Sequence, residues 1–568
     1  MEYIREEKNE TQKMSSYWKQ VEYRSGTIYD LLKESGQKYR NNIAYDFMGK
    51  KVTYGSFLKQ VDRASAALSV LGVKEDEIVC IAMPNVPQAL IFFYAANRIG
   101  AVVNMIHPLS SPQEIKSFVN RVKAHTILVM DQFYPVVKQI RAETELQNVI
   151  VASAGEAVPF IKKLPYKLTQ GRKIKKPGKN DNAILFPDFM RMGNNASPVL
   201  PTKDRTNLPA VILHSGGTTG KIKGVCHSNF AVNAAVLQMN ATGNYLPKEK
   251  MLTIMPIFHG NGLVIGVHLV LYFGGCCVLI PRFSPQSYVS DLLKNRCNHT
   301  SGVPTLFEKI IEVPEMKKAD LSFLRGVYCG ADALTAELQN KINRFLREHN
   351  SPVMIRQGYG MTEGIVATTL NPVSEQREGS IGLPLPDVTL KIVAPGTDVE
   401  LPCGEVGEIV FSSVTNMLYY YDDEEETNLT LKLHSDGRKY IHSGDLGYVD
   451  KDGFVFFKGR LKRMIVTNGY NVYPLELENI IQKHTFVQKC CVVGLPDKER
   501  IEKVAVFTVL APGVIPDEKT RLLLNDYFKE NIAKYAIPRM TVFVDSFPTT
   551  KVGKIDYNKL ITDHAEQI

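Results

Sequence analysis

Through most of its length the chain alternates short apolar runs with stretches of helical periodicity. "IYDLLKESGQKY" (28–39) repeats apolar residues at helical spacing, while "DEIVCIAMPN" (76–85) is an apolar run ended by turn residues. "QALIFFYAANRIG" (88–100) predicts an apolar helix closed by Gly100, and "AVVNMIHP" (101–108) predicts the strand that follows. The alternation recurs at "HTILVM", "NVIVAS", "AVIL", "MLTIMP" and "GGCCVLI". It predicts an α/β protein of layered, mostly parallel sheets. The most apolar stretch, "LVIGVHLVLYFGGCCVLI" (263–280), is divided by Gly274-Gly275 into pieces too short to span a bilayer, and so predicts buried core.

Past residue 380 the period shortens to two. "VTLKIVAP", "GEVGEIVFSS" and "GFVFFKGR" alternate between Gly, Pro and Asp turns, predicting a smaller antiparallel or barrel-like subdomain over about 380–460. From Leu461 onward the texture is compact α+β: "ELENIIQKH" and "KTRLLLNDYFKENI" as helices, "KCCVVGLP", "KVAVFTVLA" and "MTVFVDSFP" as strands. The expected organisation is a large N-terminal domain over 1–460 and a small C-terminal domain over 461–568. The acidic run Asp422–Glu426 predicts a helix's first turn, where the dipole favours negative charge.

Composition changes this picture little. Hydrophobic residues make up 44% and charged residues 22% of the 568, an ordinary globular balance. The net charge of +9 admits a nucleic-acid binder, but a site for polyanionic small molecules explains the sign equally well. Between Ile161 and Lys179 there are eight Lys or Arg and no acid. A solvated surface loop is the plainer expectation for that run, and contact with anionic lipid headgroups the sharper one. Nine cysteines form no C-x-x-C pair, and an odd count without a framework predicts a reducing, cytoplasmic setting. The charged N-terminus, "MEYIREEKNETQKMSSYWKQ", predicts no secretory signal.

The densest candidate chemistry is "HSGGTTGKIKG" (214–224), directly after "AVIL". Its glycines let backbone N–H groups converge on an anion, its hydroxyls donate, and its lysines supply charge. It is not the P-loop G-x-x-x-x-G-K-[ST]: Ser215 stands where the first Gly belongs, and Ile222 follows Gly220-Lys221. "GYGMTEG" (358–364) likewise spaces its glycines wrongly for a dinucleotide fold.

The loop resembles the phosphate-binding signature of the adenylate-forming superfamily, which includes the AMP-forming acyl-CoA synthetases. "MPIFHGNGL", "RGVYCGADAL", "QGYGMTEG", "YIHSGDLGYVDKDGFVFFKGRLKRMI", "NGYNVYPLELE" and "PTTKVGKI" resemble that family's later motifs, in the same order. The resemblance implies two steps. A carboxylate attacks the α-phosphate of ATP to give an acyl-adenylate and pyrophosphate. A thiol, that of coenzyme A in the synthetases, then attacks the acyl carbon and AMP leaves. Both steps call for held positive charge and hydrogen-bond donors more than for a covalent nucleophile.

The resemblance implies these roles. Ser215, Gly216, Gly217, Thr218, Thr219, Gly220 and Lys223 form the β/γ-phosphate loop, with Ile222 where the family usually has Pro. Tyr359 stacks on adenine between Gln357, Gly358 and Gly360. Thr362 donates to the α-phosphate, and Glu363 is the Mg²⁺ ligand. Gly330, Ala331 and Asp332 line the adenine; Asp332 either accepts from its amino group or caps the helix that follows. Asp445 grips the ribose hydroxyls with Arg460 as the second contact. Lys462 is the hinge between the large domain and a mobile small one. Lys554 reaches the α-phosphate, with Val552 where Ser is usual. His259 gates the carboxylate pocket, and Gly469 lets the pantetheine arm of coenzyme A pass.

Amino-acid-activating relatives place an Asp just after the position of Phe258. "FHGNGL" has no acid there, which argues against an amino-acid substrate. Fourteen residues follow Lys554, so the acyl acceptor is expected to come from outside the chain. The favoured reading is an ATP-dependent ligase joining an apolar carboxylic acid, a fatty acid, to coenzyme A. The rivals are a ligase loading a fatty or aryl acid onto a carrier protein, a non-catalytic nucleotide sensor, and a basic nucleic-acid binder resting on charge alone. No nucleic-acid partner is expected.

Overall fold

The structure is a computed structural model that describes residues 17–168, 174, 177–178, 181–216, 222–243, 245–497, 500–549 and 555–565. The chain divides into two compact units. One comprises 1–390, 411–442 and 453–455; the other comprises 391–410, 443–452 and 456–568. The sequence suggests a single boundary after 460; the compact units instead give the second body two earlier segments. Strands Val388–Val393, Gly407–Ser413, Lys439–Val449 and Val455–Arg460 each run through a point of division.

The first unit holds two large sheets. The nine-stranded sheet has a parallel centre in which Ile355–Tyr359, Gly326–Cys329, His299–Gly302, Lys250–Thr253, Cys276–Leu279 and Ile43–Phe47 lie side by side. Antiparallel strands close both edges, Leu383–Pro384 beside Thr369–Leu370 at one and Lys50–Thr53 at the other. The eight-stranded sheet is built alike. Val102–Met105, Ile78–Ala82, Thr126–Met130, Asn148–Ala152 and Ala183–Leu185 are parallel, and Pro209–Gly216 joins parallel to Val102–Met105. Ile222–Ser228 and Tyr419–Tyr420 complete it antiparallel. The mostly parallel α/β architecture matches the alternation in the sequence.

One core runs between these sheets. Helix Pro87–Arg98 has eleven of its twelve residues buried, as a helix apolar around its circumference must. It packs with Tyr54–Val70 in a cluster that draws Val79, Val103 and Val211 from one sheet and Phe47, Met251 and Cys277 from the other. Separate clusters cover the outer faces. The apolar stretch 263–280 is buried core: a π-helix Asn261–His268, a helical turn Leu269–Tyr272 and strand Cys276–Leu279. Among the described residues no helix is long and apolar enough to cross a membrane.

The second unit has a five-stranded sheet. Tyr470–Val472, Ile465–Thr467, Ile501–Leu510 and Val487–Asp497 follow one another, and Met540–Phe543 pairs parallel with Ile501–Leu510. Helices Pro474–Ile481 and Glu518–Asn531 bury Leu477, Ile481, Leu524 and Phe528 on one face. Helix Tyr557–Asp563 contributes Leu560 to the other. All nine cysteines are free, and all but Cys403 are buried. The acidic run opens helix Glu424–Thr430 as expected, with the Asp423 side chain accepting from the Glu426 amide.

Candidate active site

Parallel strands point their carboxyl ends the same way, so the loops after neighbouring strands share one edge of a sheet. In the nine-stranded sheet that edge carries 254–260 after Lys250–Thr253, 303 after His299–Gly302, 330–335 after Gly326–Cys329 and 360–366 after Ile355–Tyr359. Three stretches of unusual composition, far apart in sequence, therefore lie side by side. Cys329 pairs with Gln357, and a Cβ on Gly330 would come within 3.0 Å of the Gly358 carbonyl oxygen. Gln357 is buried; Gly358, Tyr359 and Gly360 are half-buried beside it. The Thr368 amide donates to the Tyr359 carbonyl at 2.8 Å. Ala331 takes a left-handed φ of +66° and Asp332 is exposed, accepting from the Ala333 amide at 2.9 Å.

Asp332 does not cap the helix that follows. Helix Ala336–Glu348 is capped by Thr335, whose side chain accepts from the Leu338 amide. Both residues are good caps, but the helix begins at Ala336, directly after Thr335 and beyond the reach of Asp332.

The loop after Lys250–Thr253 is pinned from the other sheet. Asn85, just past strand Ile78–Ala82, donates to the carbonyls of Thr253 and Met255, each at 3.0 Å, and accepts from the Ile257 amide at 3.0 Å. His259 is half-buried, its ring 4.8 Å from that of Phe258, with its carbonyl accepting from Leu263. The Ser301 hydroxyl donates to Asn261 at 2.9 Å, fixing the start of the π-helix. Gly260 sits against backbone: a Cβ there would fall 1.8 Å from the Ile365 carbonyl oxygen. Ile365 itself has φ 65° and ψ −45°, and Val366 donates back to Gly364 at 2.9 Å. Such a three-residue turn is rare and strained for a β-branched residue, and strain of this kind gathers at functional sites.

Thr362 and Glu363 belong to the short 3₁₀ turn Thr362–Gly364. The Thr362 carbonyl receives the Nε2 of His227 at 2.8 Å, so that nitrogen carries the proton. Burial pushes the His227 imidazole down to about 4 and keeps it neutral. Glu363 is buried, and its Oε1 accepts from Ser215 at 3.2 Å and from the Tyr420 hydroxyl at 2.7 Å. Burial first, and the neighbouring Glu363 charge second, raise the Tyr420 phenol far above its ordinary value, so it stays a donor.

Ser215 and Gly216 end strand Pro209–Gly216, paired with Lys223 and Ile222 of the return strand. Gly217, Thr218, Thr219 and Gly220 lie outside the described residues, as does Lys554. Lys223 is paired with Glu426 and lies 4.8 Å over the Tyr420 ring. The structure thus joins Ser215, Lys223, Thr362 and Glu363 through Tyr420, Glu426 and His227, three partners that sequence reasoning did not single out. Asn85 is a fourth. The signal for Tyr420 and Glu426 was present in "YYYDDEEE", an aromatic run leading into an acidic helix start.

In the second unit Asp445 is buried on strand Lys439–Val449 and meets the Arg460 Nε at 3.2 Å. Its amide donates to the Ser443 hydroxyl at 3.0 Å. Lys462 is exposed in the one-turn helix Leu461–Arg463, beside Arg463, whose guanidinium is held by Tyr557 and Glu478, each at 2.8 Å. Asn468 and Gly469 both have positive φ, 51° and 80°, as a two-residue hairpin turn between Ile465–Thr467 and Tyr470–Val472 requires.

The first unit's site offers oxygen donors around one buried carboxylate, a lysine, and hydroxyls at the mouth of a glycine-rich hairpin. Among the described residues no three His, Cys, Asp or Glu side chains gather to cage a metal. An all-oxygen donor set with one carboxylate suits Mg²⁺ carried in on phosphate oxygens.

Comparison with known proteins gives the family. The profile described as AMP-binding enzyme matches residues 32–421, and that described as AMP-binding enzyme C-terminal domain matches 476–554. A long-chain-fatty-acid–CoA ligase of Bacillus subtilis (strain 168) is 29% identical over 547 residues, 95% of each chain. A probable 4-coumarate–CoA ligase 3 of Dictyostelium discoideum is 28% identical over 515 residues, 88% of this chain and 89% of the other. Among solved structures, the anthranilate CoA ligase AuaEII in complex with anthranoyl-AMP superposes with a TM-score of 0.79 at 25% identity, covering 95% of this chain and 97% of that one.

Proposed function

This chain belongs to the AMP-binding enzyme family, and from that premise we propose that it joins a fatty acid to coenzyme A. It is an AMP-forming acid–thiol ligase. The acid's carboxylate attacks the α-phosphate of ATP, pyrophosphate leaves, and an acyl-adenylate forms. The thiol of coenzyme A then attacks the acyl carbon, and AMP departs. The observation that carries the fatty-acid reading is the agreement with long-chain-fatty-acid–CoA ligases along 93–95% of the chain at 28–29% identity. The buried, apolar π-helix Asn261–His268 beside His259 supports it.

In this reading Ser215, Gly216, Gly217, Thr218, Thr219, Gly220 and Lys223 receive the β- and γ-phosphates. Lys223 exchanges Glu426 for phosphate as ATP enters. Tyr359 stacks on adenine, with Gly330, Ala331, Asp332 and Gln357 around it. Thr362 donates to the α-phosphate. Glu363 holds Mg²⁺, which supplies charge neutralisation on the phosphates, and Tyr420 orients that carboxylate. Asp445 and Arg460 take the ribose, and Lys554 the α-phosphate. His259 orients the carboxylate, Lys462 is the hinge, and Gly469 passes the pantetheine arm. Free, mostly buried cysteines suit a reducing compartment, which we take to be the cytoplasm.

The test is pyrophosphate exchange over a panel of fatty and aryl acids, then thioester formation with coenzyme A or a carrier protein as acceptor. Exchange with long-chain acids and transfer to coenzyme A are expected. Exchange with aryl acids alone would favour an aryl acid–CoA ligase, which the 4-coumarate–CoA ligase relatives support, and transfer to a carrier protein alone would favour the carrier-loading reading. No AMP release with any acid would leave a nucleotide sensor.

A further inference from the structure

The helix Phe160–Leu168 wears its apolar side outward. At about 100° per residue, Phe160, Leu164, Leu168 and Ile161 fall within an arc of about 100°, while Lys162 and Tyr166 lie across from it and Lys163 falls at its flank. A helix on a protein surface ordinarily turns such an arc inward. Here Phe160 is 87%, Ile161 85%, Leu164 65% and Leu168 60% exposed. The opposite side makes the contacts with the protein. A Cβ on Gly155 would meet the Tyr166 ring at 2.6 Å, so the ring packs directly on that backbone, and the Lys162 Nζ donates to the Met48 carbonyl at 2.7 Å.

The surroundings are basic. Met48, itself 43% exposed, and Lys50-Lys51 form the tip of the hairpin Ile43–Phe47/Lys50–Thr53 beside the helix. Lys50 is pushed below its ordinary value by burial and then by the Lys163 charge, so two like charges face each other here. The sequence from Ile161 to Lys179 contains no acid. An apolar stripe flanked by lysines, with its polar side already satisfied by the protein, is complementary to one kind of surface: acyl chains beneath negative headgroups.

We propose that the helix Phe160–Leu168, together with the Met48–Lys51 hairpin tip, docks this protein on an anionic phospholipid bilayer. Phe160, Ile161, Leu164 and Leu168 enter the headgroup–acyl boundary, and Lys51 and Lys163 meet the phosphates. None of these residues belongs to the candidate active site, so the inference does not rest on the ligase reading.

The test is co-sedimentation of the full chain with vesicles of phosphatidylcholine alone, or of equal parts phosphatidylcholine and phosphatidylglycerol. The protein is expected to pellet with the mixed vesicles at low salt and to be released by high salt. Leu164→Ser should weaken the partition coefficient about tenfold, the cost of one leucine left in water. Lys163→Gln should weaken it about fivefold. Both side chains are exposed, so neither substitution should shift the melting temperature or the rate of pyrophosphate exchange with a water-soluble acid. Wild type remaining in the supernatant with both vesicles would overturn the proposal. So would variants that bind as well as wild type. A dimer in solution that Leu164→Ser dissolves would overturn it too, assigning the stripe to a second copy of the chain.

Discussion

Gly260 gives the sharpest test of the site's construction. A methyl group at Gly260→Ala would stand 1.8 Å from the Ile365 carbonyl oxygen and 3.0 Å from its carbon. An ordinary non-bonded contact needs roughly 3.5 Å, so the two segments must part by about 1.7 Å. Neither can yield by a rotamer change, because both atoms are backbone. Ile365 is already strained, closed by the Val366–Gly364 hydrogen bond and joined directly to the turn that carries Thr362 and Glu363. Displacement therefore reaches the carboxylate that Ser215 and Tyr420 hold. Overpacking of this severity belongs at the upper end of its range, about 3 kcal/mol. Expressed wholly in the transition state, that is roughly a 150-fold loss of kcat/KM in pyrophosphate exchange. Gly266→Ala is the control on the same π-helix, since its methyl would meet the Thr253 Cγ2 at 3.3 Å and the Asn261 carbonyl oxygen no closer than 3.7 Å. It should cost less than about 1 kcal/mol. If Gly260→Ala matched Gly266→Ala in both kcat/KM and melting temperature, the claim that this contact holds Glu363 in place would be refuted.

Lys554→Ala should abolish most adenylate formation yet leave thioester formation from a supplied acyl-adenylate largely intact; equal losses in the two half-reactions would contradict its role. Tyr420→Phe removes a charge-assisted hydrogen bond of about 1.5–3 kcal/mol from Glu363 and should raise the Mg²⁺ concentration giving half-maximal exchange. An unchanged Mg²⁺ dependence would separate Tyr420 from the metal. His227 and His268 are buried and held neutral, at about 4 and about 3, against about 6.5 unfolded. Between those values the unfolded chain binds the extra protons. Stability therefore falls as pH drops below about 6.5, by up to about 1.4 kcal/mol per pH unit for each histidine. Urea midpoints from about pH 7 to about pH 5 should show a shallower slope in His268→Gln; an equal slope would rule His268 out as a source.

Much of this could be read along the chain because it is local. The strands at 78, 102, 126 and 148 and the helix after Pro87 are announced by runs of apolar residues and by turn residues at their ends. What the chain does not announce is which runs become neighbours. Asn85 acts on residues some 170 positions away, and Tyr420 on one 57 positions away. Neither contact has a local signature. The choice between Asp332 and Thr335 as cap turned on where the helix starts, at Ala336, since both residue types make good caps. At 160–168 the helical spacing was present, but a count of lysines suggested a solvated loop. Only the packing of Tyr166 shows which side faces outward. Likewise a single boundary at 460 is natural along the sequence, whereas compactness assigns 391–410 and 443–452 to the second body.

The π-helix Asn261–His268 is fastened at both ends, by Gly260 and Ser301 at its start and by the His268 ring between Tyr94 and Asn233 at its finish. Removing one residue would let the coil relax to ordinary α winding and would leave His268 near both partners, because a π turn holds about one residue more than the α turn it replaces. Adding one would turn His268 about 100° away from both, so the segment tolerates loss of a residue better than gain of one. At fixed length, its packing changes by exchanging one side chain for another, as at the buried Val264 and Ile265.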